Sequence, residues 1–220
     1  MAHFDEALRR YYDDRASVYD DMYLRRDSAW RKDLESLADD MAKALIGRNV
    51  LEVACGTGFW TEIAAKTATR IVAIDASERM LELARKRERR NVNVDYVLGD
   101  AYSLKKVAGK FDAGLANFWF SHVPKSRIEE FLSGFQSKLE KLAIVFMSDN
   151  RYVPGIGGQL ITKPRIEDTF KLREGADGSR HEVLKNYYDR KTLERIFSPQ
   201  ASGLKIHETQ YFWSVHYTVT

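Results

Sequence analysis

The chain has 220 residues, 44% hydrophobic and 30% charged, with a formal net charge of +3. That length allows one ordinary domain with a substantial core, and so small a basic excess excludes an argument from charge for nucleic acid or a membrane surface. A single cysteine, Cys55, excludes an intramolecular disulfide and a cysteine-based zinc cluster, and no metal-ligand set is expected.

Residues 1–46 read as a helical N-terminal cap. Over 27–46 the residues Trp30, Leu34, Leu37, Met41 and Leu45 recur at three- and four-residue spacing, predicting a helix capped by Asp27 or Ser28 and stopped by Gly47. Tyr11, Tyr12, Tyr19 and Tyr23 space along an earlier helix, either as core or as a cover over a site. From 47 to 220 an α/β domain is expected. Residues 50–54 form a short apolar run ending in glycines, as a buried parallel strand does. Strands at 71–74, 92–98, 111–118 and 142–147 alternate with helices, including one begun by Ser77 and one over 125–140. That alternation predicts a doubly wound, mostly parallel seven-stranded sheet. An insertion at about 151–188 breaks the rhythm, and its glycines and prolines over 151–163 predict an irregular loop. A helix at 189–197 precedes two strands, 203–207 and 211–218, too close for a crossover and therefore antiparallel.

The segment Leu51-Glu52-Val53-Ala54-Cys55-Gly56-Thr57-Gly58-Phe59-Trp60 carries the chemistry. A strand feeding a Gly-x-Gly turn and a helix lets backbone approach a nucleotide-like ligand. Asp75 ends the next strand, where a carboxylate accepts from both ribose hydroxyls. A nicotinamide enzyme wants a third glycine for its diphosphate, but Thr61 stands there, and the carboxylate of Glu52 would repel a diphosphate. A cationic ligand without phosphate suits the loop better.

Glu52-Val53-Ala54-Cys55-Gly56-Thr57-Gly58, Ala73 through Leu81, and Leu98-Gly99-Asp100-Ala101 resemble, in order and spacing, three motifs of the class I S-adenosylmethionine-dependent methyltransferases. Tyr11-Tyr12-Asp13, Ala16 and Tyr19-Asp20 resemble the opening of the ubiquinone/menaquinone-pathway branch. Ala54 departs from a common glycine, and Asn117-Phe118-Trp119-Phe120 from the motif of the adenine- and glutamine-methylating branches.

The resemblance implies that Gly56, Gly58 and Glu52 hold the methionine part of S-adenosylmethionine and Asp75 the ribose, with Ala76 beside it. Met80 packs on adenine or is plain core. Asp100 accepts from the adenine amino group beside the Ala101 N–H, or only forms a turn. Asn117 and Phe118 face the methionine part through their carbonyls, and Tyr19 and Trp60 complete the cofactor set. Tyr11, Tyr12, Tyr23, Trp119 and Arg151 are the candidate substrate residues, the last pairing an acidic group. His122, at the carboxyl edge of the sheet, is a candidate general base with an ordinary pKa near ~6.5, or a solvent-facing helix start. Cys55 reads as a small filler and the run 85–90 as a solvated helix end. The expected acceptor is a small planar or apolar metabolite. The runner-up readings are an NAD-dependent oxidoreductase and a cofactor-binding module without activity. The charged opening residues lack a leader's apolar core, and no apolar run reaches a bilayer span, so a cytoplasmic protein with no membrane span is expected.

Overall fold

Asp27 starts the first long helix by accepting from the Trp30 N–H at 2.9 Å, and the helix α1 runs Ser28–Ala44. The computed structural model describes residues 10–16, 20, 23, 27–87, 93–104, 107–174 and 178–220. Gly47, at φ 71, turns the chain into β1, Asn49–Val53. There follow α2 (Phe59–Ala64), β2 (Arg70–Asp75), α3 (Glu78–Arg87), β3 (Val94–Leu98), β4 (Phe111–Asn117), α4 (Ile128–Gln136) and β5 (Leu139–Asn150). Next are β6 (Gln159–Thr162), β7 (Thr169–Glu174), β8 (Arg180–Leu184), α5 (Arg190–Phe197), β9 (Ala201–Glu208) and β10 (Phe212–Val219).

The main sheet has the order β3-β2-β1-β4-β5-β10-β9. β1 pairs in parallel with β2 and β4, β2 with β3, and β4 with β5, while β10 runs antiparallel to both β5 and β9. Six strands thus point one way and the last strand the other, as the alternation predicts. Strand parity divides the core in two. Leu51, Val53, Val72, Ile74, Val145 and Val215 pack with Phe131 and Leu193 of α4 and α5. Val50, Ile71, Leu115 and Phe146 pack with Trp30 and Met41 of α1 and with Trp60 and Leu81.

Two stretches differ from expectation. The predicted helix over 125–140 is a 3₁₀ turn, Lys125–Arg127, followed by the nine-residue α4. Its last predicted residues already belong to β5, where Leu142 adopts φ 65 and the β4–β5 register slips. The expected loop over 151–163 ends in a strand: β6, β7 and β8 pair antiparallel as a separate three-stranded sheet. Among the described residues, no helix is long and apolar enough to cross a membrane.

Candidate functional site

Beyond β1 the chain turns through three left-handed residues, Ala54 (φ 53), Gly56 (φ 57) and Gly58 (φ 77). A Cβ on Gly58 would lie 2.9 Å from the Tyr96 hydroxyl and 3.0 Å from the Ala84 Cβ, so the glycine lets α2 close on α3 and β3. At Gly56 a Cβ would meet nothing within 4 Å, and the loop presents open backbone there. Asp75, at the end of β2, accepts the Gly56 N–H at 2.8 Å and the Ser77 N–H at 2.9 Å. Burial pushes its pKa up to about 6, with nearby Asp13 adding to the rise and the N–H bonds partly offsetting it. Ser77 caps α3 by accepting from the Met80 N–H at 3.0 Å and donates to Asp13.

The other cofactor candidates lie around this loop. Glu52 is buried, in register between Ala73 and Leu115. Met80 and Ala101 are buried and Ala76 is exposed. Asp100 is exposed and accepts the Tyr102 N–H at 2.9 Å, a tight turn at the end of β3. Trp60 donates to the Tyr23 hydroxyl at 3.2 Å and stacks on Phe118. Asn117 turns its side chain inward, donating to the Met41 sulfur and accepting from the Ser148 hydroxyl at 2.6 Å. Only its backbone is left to face a ligand. Tyr19 lies outside the described residues.

His122 is buried, not a solvent-facing helix start. Its Nδ1 lies 2.7 Å from the Leu184 carbonyl and its Nε2 2.8 Å from the Tyr12 hydroxyl. A carbonyl only accepts, so the proton sits on Nδ1 and Nε2 accepts from Tyr12. Burial, then the Lys185 cation, lower its pKa to about 3. The ring is therefore neutral at neutral pH, and the expected ordinary pKa does not hold. Three consecutive residues of the short helix over 10–15 reach different parts of the edge. The Tyr11 ring lies 5.6 Å from that of His181, Tyr12 meets His122, and Asp13 meets Ser77.

Residues 50–141 match the family described as "Methyltransferase domain". Over 127 residues the chain is 33% identical to the demethylmenaquinone methyltransferase of Renibacterium salmoninarum, a match covering 55% of this chain and 51% of that protein. Over that stretch the chain is similar to a methyltransferase domain. It spans about half the length of the curated relatives it matches. The methyltransferase fold extends further than that match: the DhpI–SAH complex superposes with a TM-score of 0.79 at 23% identity, over 98% of this chain and 97% of that one. The N-methyltransferase NodS from Bradyrhizobium japonicum WM9, in complex with S-adenosyl-L-homocysteine, superposes at 0.67 and 13% identity, over 96% and 98%.

Some polar residues at this edge escape sequence reasoning. Lys185 donates to Asp149 at 2.8 Å, to the Ser121 hydroxyl at 2.7 Å and to the Asn150 side chain at 3.0 Å, all at the carboxyl ends of β4 and β5. Asp149 also accepts the Ser121 N–H at 2.8 Å. Burial is the largest influence and raises the Asp149 pKa, but the Lys185 cation and its hydrogen bond, His122 and the Ser121 N–H together outweigh it and the net shift is downward. Asp149 carried a usable signal, an acid ending a long apolar run where open α/β sheets bind ligands. Lys185 carried none. Arg151 faces elsewhere than the substrate role supposed: it donates to the Thr209 carbonyl and pairs with Glu208 at 3.5 Å, beside the closing hairpin. Trp119 sits with its ring 6.4 Å from that of His122 and 6.1 Å from that of Tyr102.

Proposed function

We propose that this chain transfers the methyl group of S-adenosylmethionine to a small-molecule acceptor. The observation that carries the reading is Asp75, held by the Gly56 and Ser77 N–H groups at the end of β2 against open glycine backbone. The acceptor face of that carboxylate suits a ribose diol, and the buried Glu52 carboxylate at the neighbouring strand suits an ammonium and disfavours a diphosphate. Gly56, Gly58, the Asn117 and Phe118 backbone, Trp60, Met80, Ala76 and the Asp100–Ala101 turn complete the cofactor side, with Tyr19 next in the chain to Asp20. Asp20 itself accepts from the Thr57 hydroxyl at 2.6 Å and so ties the N-terminal segment to the glycine loop.

S-adenosylmethionine supplies a carbon already activated by its sulfonium. The chain's residues position the acceptor in line and exclude water. Tyr11, Tyr12, Tyr23 and Trp119 form the aromatic side of that enclosure. His122, neutral and engaged at both nitrogens, acts as a positioning residue that orients the Tyr12 hydroxyl. An imidazole with so low a pKa is a poor base for an acceptor proton.

Calorimetry with S-adenosylhomocysteine tests the reading. Asp75→Asn should weaken binding by ~1–3 kcal/mol, the range for losing hydrogen bonds to a charged group. Only the ionised carboxylate offers both oxygens as charged acceptors, so affinity should fall below pH about 6, where Asp75 takes up its proton. Asp75→Asn should flatten that dependence. The sign for folding is opposite: with a folded pKa raised above 3.8, Asp75 favours the folded state at low pH, and that contribution disappears as pH rises through about 6. Tight NAD binding with no response to S-adenosylhomocysteine would reverse the assignment. Binding without any methylated product across a metabolite panel would reduce the chain to a cofactor-binding module.

A further inference from the structure

β7 and β8 pair with Arg173 opposite His181 and Lys171 opposite Val183. Strand parity therefore puts Lys171, Arg173, His181 and Val183 on one face of the small sheet, with Phe170 and Leu172 on the other. Lys185, one residue past β8, continues the same parity. This face looks onto the proposed methyl-transfer site: Tyr11 packs on His181, and the Leu184 carbonyl accepts the His122 Nδ1–H.

The face is cationic and only partly neutralised. Lys185 is matched by Asp149 at 2.8 Å. Lys171, 1% exposed, has the Gly158 carbonyl at 2.7 Å and the Ile156 carbonyl at 3.3 Å, with the rings of Tyr152 and Tyr187 5.1 and 5.7 Å from its ammonium. The Arg173 side chain is half-buried, and its Nε is buried without a hydrogen-bond partner among the described residues. Its field lowers the pKa values of Lys171, Lys185 and His122, so its charge lies within range of all three. The loop before β6 is shaped to this face. A Cβ on Gly157 would stand 3.2 Å from an Arg173 terminal nitrogen, and one on Gly158 2.3 Å from the Leu172 carbonyl. Burying the Lys171 ammonium and the Arg173 Nε with so little counter-charge is costly unless a ligand brings the missing charge.

We propose that the Lys171–Arg173–Lys185 face, with Arg173 at its centre, receives an anionic group, carboxylate or phosphoryl, on the methyl acceptor. Guanidinium geometry matches either group through two parallel N–H bonds. The inference rests on the methyltransferase reading and gives it a substrate class. It moves the acidic-group partner from Arg151, engaged by Glu208, to Arg173, and adds a charged end to the planar or apolar acceptor first expected. The distance is suitable: Tyr11, Tyr12 and Asp13 touch His181, His122 and Ser77 in turn, so the cationic face and the Asp75 end of the cofactor loop lie within side-chain reach of one helical turn.

Inorganic phosphate and acetate, titrated separately onto the full chain with saturating S-adenosylhomocysteine, test the idea by calorimetry. At least one should bind saturably. Arg173→Gln should weaken it tenfold or more, Arg173→Lys by a smaller factor, and S-adenosylhomocysteine affinity should stay within twofold in both. Preference for phosphate assigns a phosphoryl acceptor, and preference for acetate a carboxylate. Saturable binding unchanged in Arg173→Gln, or no saturable binding of either anion, would overturn the proposal. Both anions are also titrated without S-adenosylhomocysteine, so a failure to bind that nucleoside counts against the methyltransferase reading while the Arg173 dependence is still read.

Discussion

Ala54 and Gly58 occupy the same left-handed region four residues apart and respond to mutation in opposite senses. A Cβ at positive φ costs roughly 1–2 kcal/mol, and Ala54 bears that cost at φ 53. Ala54→Gly should therefore raise stability by up to ~1 kcal/mol, less the extra chain entropy that glycine carries when unfolded. Gly58→Ala adds the same strain at φ 77 and an overlap with the Tyr96 hydroxyl and the Ala84 Cβ. It should lose ~2–4 kcal/mol, since overpacking adds its own cost. Urea unfolding of the two variants checks both signs, and equal behaviour would show that the loop relaxes freely. At this scale the sequence was informative where backbone chemistry decides, as with Gly56, Gly58, Asp75 and the caps Asp27 and Ser77. Side-chain direction was less legible. Asn117 is drawn inward by Met41 and Ser148, and Arg151 is held aside by Glu208, partners 57 or more residues away except for Ser148, which lies 31 away.

Among elements, the central parallel strands were readable because burial on both faces writes them as apolar runs, while the edge strand β3, exposed at Asp95 and Leu98, was read from alternation. The β6–β7–β8 sheet was not. Its strands are half-buried and carry Lys171 and Arg173, with Lys185 just past β8, at positions where polar residues suggest solvent, and its turns hold the glycines that also mark loops. What anchors this sheet to the main one is polar: Lys185 reaches Asp149, Ser121 and Asn150, and the Asn186 N–H donates to the Ser121 carbonyl at 2.8 Å. Lys185→Met should cost ~3–5 kcal/mol, because Asp149, 0% exposed, would be left buried without its cation. Adding Asp149→Asn should recover a large part of that loss. Denaturant unfolding of the single and double variants measures the coupling, and simple additivity would mean that the pair does not anchor the sheet.

For the whole molecule, the proposed sites for the methyl donor and for the acceptor's anionic end belong to two different sheets, joined at the edge by residues 10–15. Those residues touch the donor side through Asp13 and the acceptor side through Tyr11 and Tyr12. A ligand that steadies the helix from one side spares the other ligand part of the ordering cost. The two affinities should then be linked by one common factor, the same whichever ligand is varied, because linkage is reciprocal. Phosphate or acetate should tighten S-adenosylhomocysteine by the ratio in which S-adenosylhomocysteine tightens the anion, and Tyr12→Phe, which unhooks the helix from His122, should bring that ratio toward one. In turnover the same linkage makes the spent nucleoside a stronger inhibitor when acceptor is abundant, so progress curves should bend earlier at high acceptor than at low.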